Sequence, residues 1–496
     1  MTSHGPTLGR LAVRNTVWLT LFSYAGQFVA FVATIILTRL LGPEVFGVFA
    51  IGMFWTGLLA LRSKFGLMQA GIRQPELNGE LLGSFYGLDL MLSAVSLGLG
   101  VLAALLLPRL GYAPQVGYVV AVMMLVEALP ALVNPLGLAL EKELQLSRLT
   151  LSYLIATAVS YGLGIVLALS GAGLWSLLMM NVANALLLMV GTYLVCRWRL
   201  PMVFHLGWRF KRSMARHLVK QGLPIGLANM GVVNIVNQYD NFLIGTLVST
   251  TALGYYDRAY RLSQWPNILL TQVLSRVGLV TFARVQDDLP RLTHAMRLSL
   301  WSLTTLGTPI ALVLFFGAAE IVGLLYGPAW AASSFFLRFL AVYTLFSPFI
   351  SLGGSLAYAV GNVRMTMWIT ATQVITILIV ATLLTLLFGA VGTMFGVGVT
   401  IMVGFAVSTL YIFRRLPLSA QSVFGAPIIA IIIASSLTLL VMSWPGWNDL
   451  TALVRLIIIG CTAAGGYLIS LLALRPGETV ERIRYIVRTF RGVNVG

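Results

Sequence analysis

Lysine is nearly missing from this chain: Lys64, Lys142, Lys211 and Lys220 are the only four in 496 residues, and none follows glycine. A phosphate-cradling loop ending in Gly-Lys is therefore absent, and ATP drive of that type is excluded. Histidine is as scarce. His4, His205, His217 and His294 all fall outside the apolar runs, so neither a metal constellation nor a nucleophile–base pair can be built on them. Cys196 and Cys461 sit in apolar runs without ligand spacing and read as packing residues. Charge is the largest deficit: 9% of the residues are charged, where a soluble domain carries about a quarter. With 58% hydrophobic residues the chain has too little polar surface to offer water, which makes it a membrane protein.

Apolar runs long enough to cross a bilayer predict helices at 15–38, 44–61, 83–107, 116–140, 149–169, 174–196, 221–247, 252–281, 296–316, 329–358, 365–388, 392–413, 425–443 and 453–474. Turn residues separate them, as in Leu41-Gly42-Pro43, Gly389-Ala390-Val391-Gly392 and Trp444-Pro445-Gly446-Trp447. The first run is too long for a signal-peptide core and lacks a small-residue cleavage site, so it is expected to persist as a span.

The net charge of +17 is distributed as a topology signal and not as a nucleic-acid face. Of 32 basic residues, 25 fall in the termini and alternate loops, seven of them between Arg197 and Lys220 and five between Arg475 and Arg491. The opposite loops hold only Arg39, Arg109 and Arg455. The positive-inside rule then places both termini in the cytoplasm, which requires an even number of spans. The 197–220 linker, with Trp198, Phe204, Trp208 and Phe210, and the tail, with Ile483, Ile486, Val487 and Phe490 on one face, suit an anionic lipid surface. Ordinary topogenic charge explains both stretches as simply.

An internal repeat organises the spans. Aligning Phe46-Gly47-Val48-Phe49 with Leu253-Gly254-Tyr255-Tyr256 gives an offset of 207 residues, and both fall at equivalent loops. Six helices per unit make the repeats parallel, a transporter architecture. The expected fold is an all-α polytopic membrane protein of about fourteen helices, with two parallel six-helix lobes around a central cavity and two further helices. The N-terminal lobe covers 1–196, the basic cytoplasmic linker 197–220 and the C-terminal lobe 221–413. The extra helices cover 414–474 and the basic tail 475–496. The outer loops, roughly a dozen residues at most, offer no platform for a membrane polymerase, and no enzyme is expected.

Polar stripes mark the interior. The first span carries Thr16, Thr20, Ser23, Gln27, Thr34 and Thr38 on one face, and the third carries Asp89, Ser93 and Ser96. The seventh holds Asn229, Asn234, Asn237, Gln238, Asp240 and Asn241; the eighth holds Asp257, Arg258, Arg261, Gln264, Thr271, Gln272, Ser275 and Arg276. Such stripes serve helix packing as well as cavities. Ionisable residues are the sharper signal, because each costs about 2.5–3.5 kcal/mol at mid-membrane and seeks a cavity or a partner. Asp257 and Arg261 are spaced to pair at i, i+4, Asp240 lies at a depth similar to Arg258 and Arg261, and Glu127 has no evident partner. Glu127 precedes Asn134 by seven residues, so in a continuous helix the two share a face.

Leu40-Leu41-Gly42-Pro43 with Phe46-Gly47, Gly171-Ala172-Gly173-Leu174-Trp175-Ser176-Leu177, and Leu253-Gly254-Tyr255-Tyr256-Asp257-Arg258-Ala259-Tyr260-Arg261-Leu262 resemble the Wzx-type polysaccharide flippases. The likeness is greatest to the colanic-acid-exporter branch of the multidrug/oligosaccharidyl-lipid/polysaccharide (MOP) superfamily. This resemblance covers nearly the whole chain and departs at Arg276, where the family commonly continues with proline and this chain with Val277-Gly278. It implies a bacterial inner-membrane carrier that flips an undecaprenyl-diphosphate-linked oligosaccharide to the periplasmic leaflet. Membrane lipids, a polysaccharide polymerase and a chain-length regulator are the further partners it suggests, and no nucleic acid. Arginine suits the diphosphate, so Arg258, Arg261 and Arg276 are candidate contacts. Gln27, Asn237, Gln264 and Gln272 suit sugar hydroxyls, and Glu127, Asp240 and Asp89 could hold a coupling proton or sodium ion. No other cofactor and no catalytic or metal-ligating residue is expected. A drug/cation antiporter of the same superfamily and a non-transporting scaffold subunit are the rival readings.

Overall fold

The computed structural model describes residues 5–143, 145–226, 232–477 and 482, without the side chains of 5–20, 63, 146–147, 232–237, 265–280 and 344. Every regular element among them is helical. The main helices in the first half are α1 (Gly5–Leu40), α2 (Pro43–Leu59), α3 (Gly79–Leu106), α4 (Pro114–Ala128), α5 (Asn134–Lys142), α6 (Leu146–Leu169), α7 (Leu174–Arg199), α8 (Arg212–Gly226) and α9 (Val232–Leu247). Then follow α10 (Thr250–Arg284), α11 (Leu289–Phe316), α12 (Ser333–Ala359), α13 (Val363–Thr376), α14 (Thr382–Arg415), α15 (Ala420–Met442), α16 (Ala452–Ile459) and α17 (Gly466–Leu474). Among the described residues, ten helical stretches are long and apolar enough to span a membrane.

The local chemistry explains most boundaries. Pro43 opens α2 at a position whose N–H has no partner inside the helix in any case. Asn78 caps α3 by accepting from the Leu81 N–H at 2.9 Å, and Asp288 caps α11 from Arg291 at 3.0 Å. The longest apolar stretch, Val363–Arg415, is two spans' worth of helix broken at Gly389. Its φ of 61° and ψ of −141° are open to glycine and closed to nearly every other residue. The expected spans 365–388 and 392–413 meet at this turn.

One expected span is not a single helix. The run 116–140 divides into α4, a 3₁₀ turn at Leu129–Leu132, and α5. Pro130 and Pro135 lack the N–H that would continue the ladder through this stretch. Glu127 and Asn134 therefore sit on different helices and share no helical face. By contrast α10 runs unbroken from Thr250 through Gly278 to Arg284.

Packing divides the chain into two compact units, Met1–Gly254 and Tyr255–Gly496. In the first, Leu81, Leu82, Phe85, Leu138 and Leu140 form a buried core against α8 and the linker ahead of it. The Arg209 N–H donates to the Gly79 carbonyl at 3.0 Å, Lys211 N–H to the Ser84 hydroxyl at 3.0 Å, and Lys211 Nζ to Glu80 at 2.8 Å. Trp208 packs edge-on to Tyr86 and donates to the Val203 carbonyl, so this part of the expected lipid-facing linker is folded into the protein; Trp198 and Phe210 remain exposed. The amphipathic tail segment 483–490 lies outside the described residues. The second unit has two cores, one around Phe282, Leu300 and Leu352 and one around Ala430, Ile459 and Tyr467, whose hydroxyl donates to the Thr304 carbonyl at 3.1 Å.

The start of α2 crosses the start of α10 in a reciprocal way. A Cβ on Gly47 would overlap the Thr250 carbonyl, and a Cβ on Gly254 would overlap the Pro43 carbonyl. The repeat offset of 207 maps Pro43 to Thr250 and Gly47 to Gly254. Residue i meets the mate of j, and j meets the mate of i, which is the pattern a local two-fold produces.

Candidate functional site

A cavity of about 580 Å³ opens within the first unit between α1, α6 and α7. Ser23 and Gln27 reach it from α1; Thr150, Tyr153, Thr157, Ser160 and Tyr161 from α6; Asn181 and Asn184 from α7. Spacings of three and four residues bring each set to one helical face. Asn184 Nδ2 donates to Ser160 Oγ at 3.1 Å, and Asn181 Nδ2 to the Leu177 carbonyl at 2.7 Å, which fixes both amides. The lining carries hydroxyls, amides and phenol rings and, among the described residues, no charged side chain. Such a wall can donate to and accept from a neutral polar ligand, with aromatic faces for its apolar side. Further along α1, Thr38 is buried and donates back to the Thr34 carbonyl at 2.8 Å, so the end of that stripe serves packing.

Of the expected contacts whose side chains are described, only Gln27 lies in this cavity. The α6 and α7 residues were not anticipated, although Thr150, Tyr153, Thr157, Ser160 and Tyr161 recur at helical spacing in the sequence. Their signal is diluted because hydroxyl-bearing residues are common in packed spans.

A second polar group in the first unit contains charge. Arg62 lies on the short helix Leu61–Lys64 after α2, and its Nη2 is 3.3 Å from Glu127 Oε2. Glu127, expected to lack a partner, therefore has one 65 residues away in sequence. The pair is partly open, with side chains 22% and 40% exposed. Asp89 is buried on α3 and accepts from Asn134 Nδ2 at 2.7 Å, while Ser96 accepts from the Leu61 N–H at 3.0 Å and pins the short helix. Two carboxylates thus lie about one guanidinium, whose charge also reaches Asp89. Asp240, on α9, is buried and accepts from the Asn241 N–H at 2.8 Å.

In the second unit Asp257 is clamped. Arg258 Nε lies 3.0 Å from its Oδ2, and Arg261 Nε lies 3.1 Å and 3.0 Å from its two oxygens. Asp257 and Arg258 are 4% and 6% exposed, whereas Arg261 is 53% exposed. The neighbouring motif residues are equally committed. Ser333 Oγ donates to the Tyr255 carbonyl at 3.0 Å, and fully buried Tyr256 meets Tyr260 and Phe336. Arg258 is accordingly a packing and charge-pairing residue, and Arg261 is the more accessible of the two. Gln264 is half-buried; the side chains of Asn237, Gln272 and Arg276 lie outside the described residues.

A family model described as "Polysaccharide biosynthesis protein" matches residues 36–335. The succinoglycan biosynthesis transport protein ExoT of Rhizobium meliloti is 27% identical over 329 residues, covering 66% of this chain and 65% of the relative. The amylovoran biosynthesis protein AmsL of Erwinia amylovora is 24% identical over 178 residues, 35% of this chain and 46% of its own length. The match therefore spans just under two thirds of the first relative and about half of the second. Among solved structures, the lipid II flippase MurJ in an inward closed conformation aligns with a TM-score of 0.72 at 16% identity, over 92% of this chain and 99% of that one. An inward-facing multidrug-resistance MATE transporter of the MOP superfamily aligns at 0.63 and 17% identity, over 79% and 96%.

Proposed function

This chain belongs to the polysaccharide biosynthesis protein family, and on that premise we propose that it flips undecaprenyl-diphosphate-linked oligosaccharide repeat units from the cytoplasmic to the periplasmic leaflet. The process is alternating access without ATP, through about fourteen spans in two six-helix lobes, in the bacterial inner membrane with both termini cytoplasmic. The observation that carries this reading is the hydroxyl- and amide-lined cavity of the first unit, without a charged side chain among the described residues. Sugar hydroxyls exchange water for such groups at little cost, because each buried donor or acceptor finds a partner. Of Arg258 and Arg261, the second is the better placed to meet the diphosphate, because it keeps half its surface open while Arg258 holds Asp257. Glu127, Asp89 and Asp240 are the sites for a coupling proton or sodium ion. A polymerase and a chain-length regulator would receive the flipped unit.

A cation or drug antiporter of the same superfamily would be expected to line its cavity with a carboxylate, and none lines this one among the described residues. Purified protein in vesicles tests the reading against both rivals. Flipping of a fluorescent lipid-linked oligosaccharide, sensitive to Gln27→Leu and Asn184→Leu, is expected. Efflux of a cationic dye without lipid flipping would assign it to the antiporters, and movement of neither would leave a scaffold.

A further inference from the structure

A second, narrower pocket lies wholly in the second unit, where three span-length segments end together. It is formed by the third and fourth turns of α11, the first turns of α15 and the last turn of α17. Its polar rim holds three arginines: Arg297 of α11, Arg475 just after α17, and Arg482 beyond it. Val423, Ala426, Pro427 and Leu471 make an apolar floor, and no aspartate or glutamate lines it among the described residues.

The three arginines differ in role. Arg475 Nη1 donates to the Ser422 carbonyl at 2.6 Å and Nη2 to the Gln421 carbonyl at 3.5 Å, so it braces the start of α15. The Arg482 guanidinium lies over the Trp301 ring, 5.6 Å from its centroid, a cation–π contact. Arg297 is exposed and makes no hydrogen bond or ion pair within the described residues. An indole beside guanidinium groups, above apolar side chains and at the ends of spans, matches the level where hydrocarbon gives way to headgroups.

We propose that this pocket is a binding site for the phosphate of an anionic membrane lipid. Arg297 and Arg482 contact the phosphate oxygens, Arg475 supplies background charge while holding α15, and the first acyl or prenyl carbons lie on the floor. Basic pockets between spans select anionic headgroups in this way. A soluble phosphate compound would gain nothing from the floor. The shared chemistry is a lipid phosphate, which a bulk phospholipid or a polyprenyl phosphate could each provide. The inference does not depend on what the chain transports.

Native mass spectrometry of the full chain in detergent tests it, with cardiolipin, phosphatidylglycerol, undecaprenyl phosphate and zwitterionic phosphatidylethanolamine as separate probes. Retention of anionic over zwitterionic lipid is expected, and the more retained anionic probe identifies the source. Arg297→Gln with Arg482→Gln should lower that retention on the order of tenfold or more, as loss of two arginines from a headgroup contact implies. Arg291→Gln, which removes an equal charge from the same helix at the Asp288 pair, should leave it unchanged. Equal retention of phosphatidylethanolamine, or undiminished anionic adducts in the double variant, would overturn the proposal.

Discussion

The two units handle polarity inside a membrane protein in opposite ways. The first builds its cavity from neutral groups and keeps its Arg62–Glu127 pair partly open, with Glu127 40% exposed. The second buries Asp257 at 4% exposure and closes two arginines on it. An ion pair that is open on one side can separate at little cost, whereas a doubly paired buried carboxylate is fixed by the price of uncovering it. The contrast underlies the roles proposed above, open and neutral groups for the ligand and closed ion pairs for the fold.

The largest effect should come from breaking the clamp. Asp257→Ala removes the carboxylate that Arg258 and Arg261 close on, a change worth about 3–5 kcal/mol, and should sharply lower the thermal unfolding temperature in detergent. Replacing Arg258 by Met together with Asp257→Leu should restore much of that loss, since an apolar pair of similar volume often matches a buried ion pair. If the single variant is as stable as the parent, the clamp is no brace and the contrast between the units fails.

Next in size is the reciprocal crossing. Gly47→Ala or Gly254→Ala forces a methyl into a carbonyl on the other helix, for which overpacking penalties of about 1–3 kcal/mol are usual. Because the contacts are reciprocal, the two substitutions should cost similar amounts, as measured by unfolding midpoints. A large loss at one glycine and none at the other would show that the local two-fold is only approximate.

Much of this architecture was legible in the sequence because helix length and turn chemistry are local. Gly42-Pro43 marks the entry to α2, Gly389 marks the break in the longest run, and the 207-residue offset locates a crossing that the packing makes literal. The resemblance likewise pointed to the family that the match over residues 36–335 establishes. What failed was information that lives in three dimensions. Pro130 and Pro135 were visible, yet the run around them is apolar enough to read as one span. The Arg62–Glu127 contact joins residues 65 apart, which no periodicity encodes. Of the cavity in the first unit the sequence singled out Gln27 and not the α6 wall, because a face of Ser, Thr and Tyr carries the same spacing whether it packs or binds.

Within the cavity the expected effect falls on transport and spares stability. Asn184→Leu removes a donor to Ser160 while keeping volume, and Gln27→Leu removes an amide that α1 contributes to the lining. Each should lower flipping on the order of tenfold, the worth of about one hydrogen bond to a bound ligand, with unfolding midpoints near the parent's. A drop in midpoint as large as that of Asp257→Ala would mean that the neutral wall is structural after all and would erase the contrast.

The smallest structural effect, and the sharpest functional question, concerns Glu127→Gln. The pair it belongs to is partly open, so its loss should cost at most about 1 kcal/mol of stability. The amide keeps the shape and can still accept from Arg62 Nη2, but it can neither carry charge nor release a proton. If Glu127 takes up and gives back a proton as the carrier cycles, flipping in Glu127→Gln vesicles should lose its dependence on an imposed pH gradient while the protein stays folded. Arg62→Gln supplies the complement, because it removes the guanidinium and leaves two carboxylates, Glu127 and Asp89, without their shared cation. It should lower flipping, since it takes away the cation that ties the short helix Leu61–Lys64 to α4. Normal, still gradient-dependent flipping in Glu127→Gln would remove this residue from the coupling step. The Arg62 contact would then be a static brace between the short helix and α4, and Asp89, buried against Asn134, would be the next carboxylate to change.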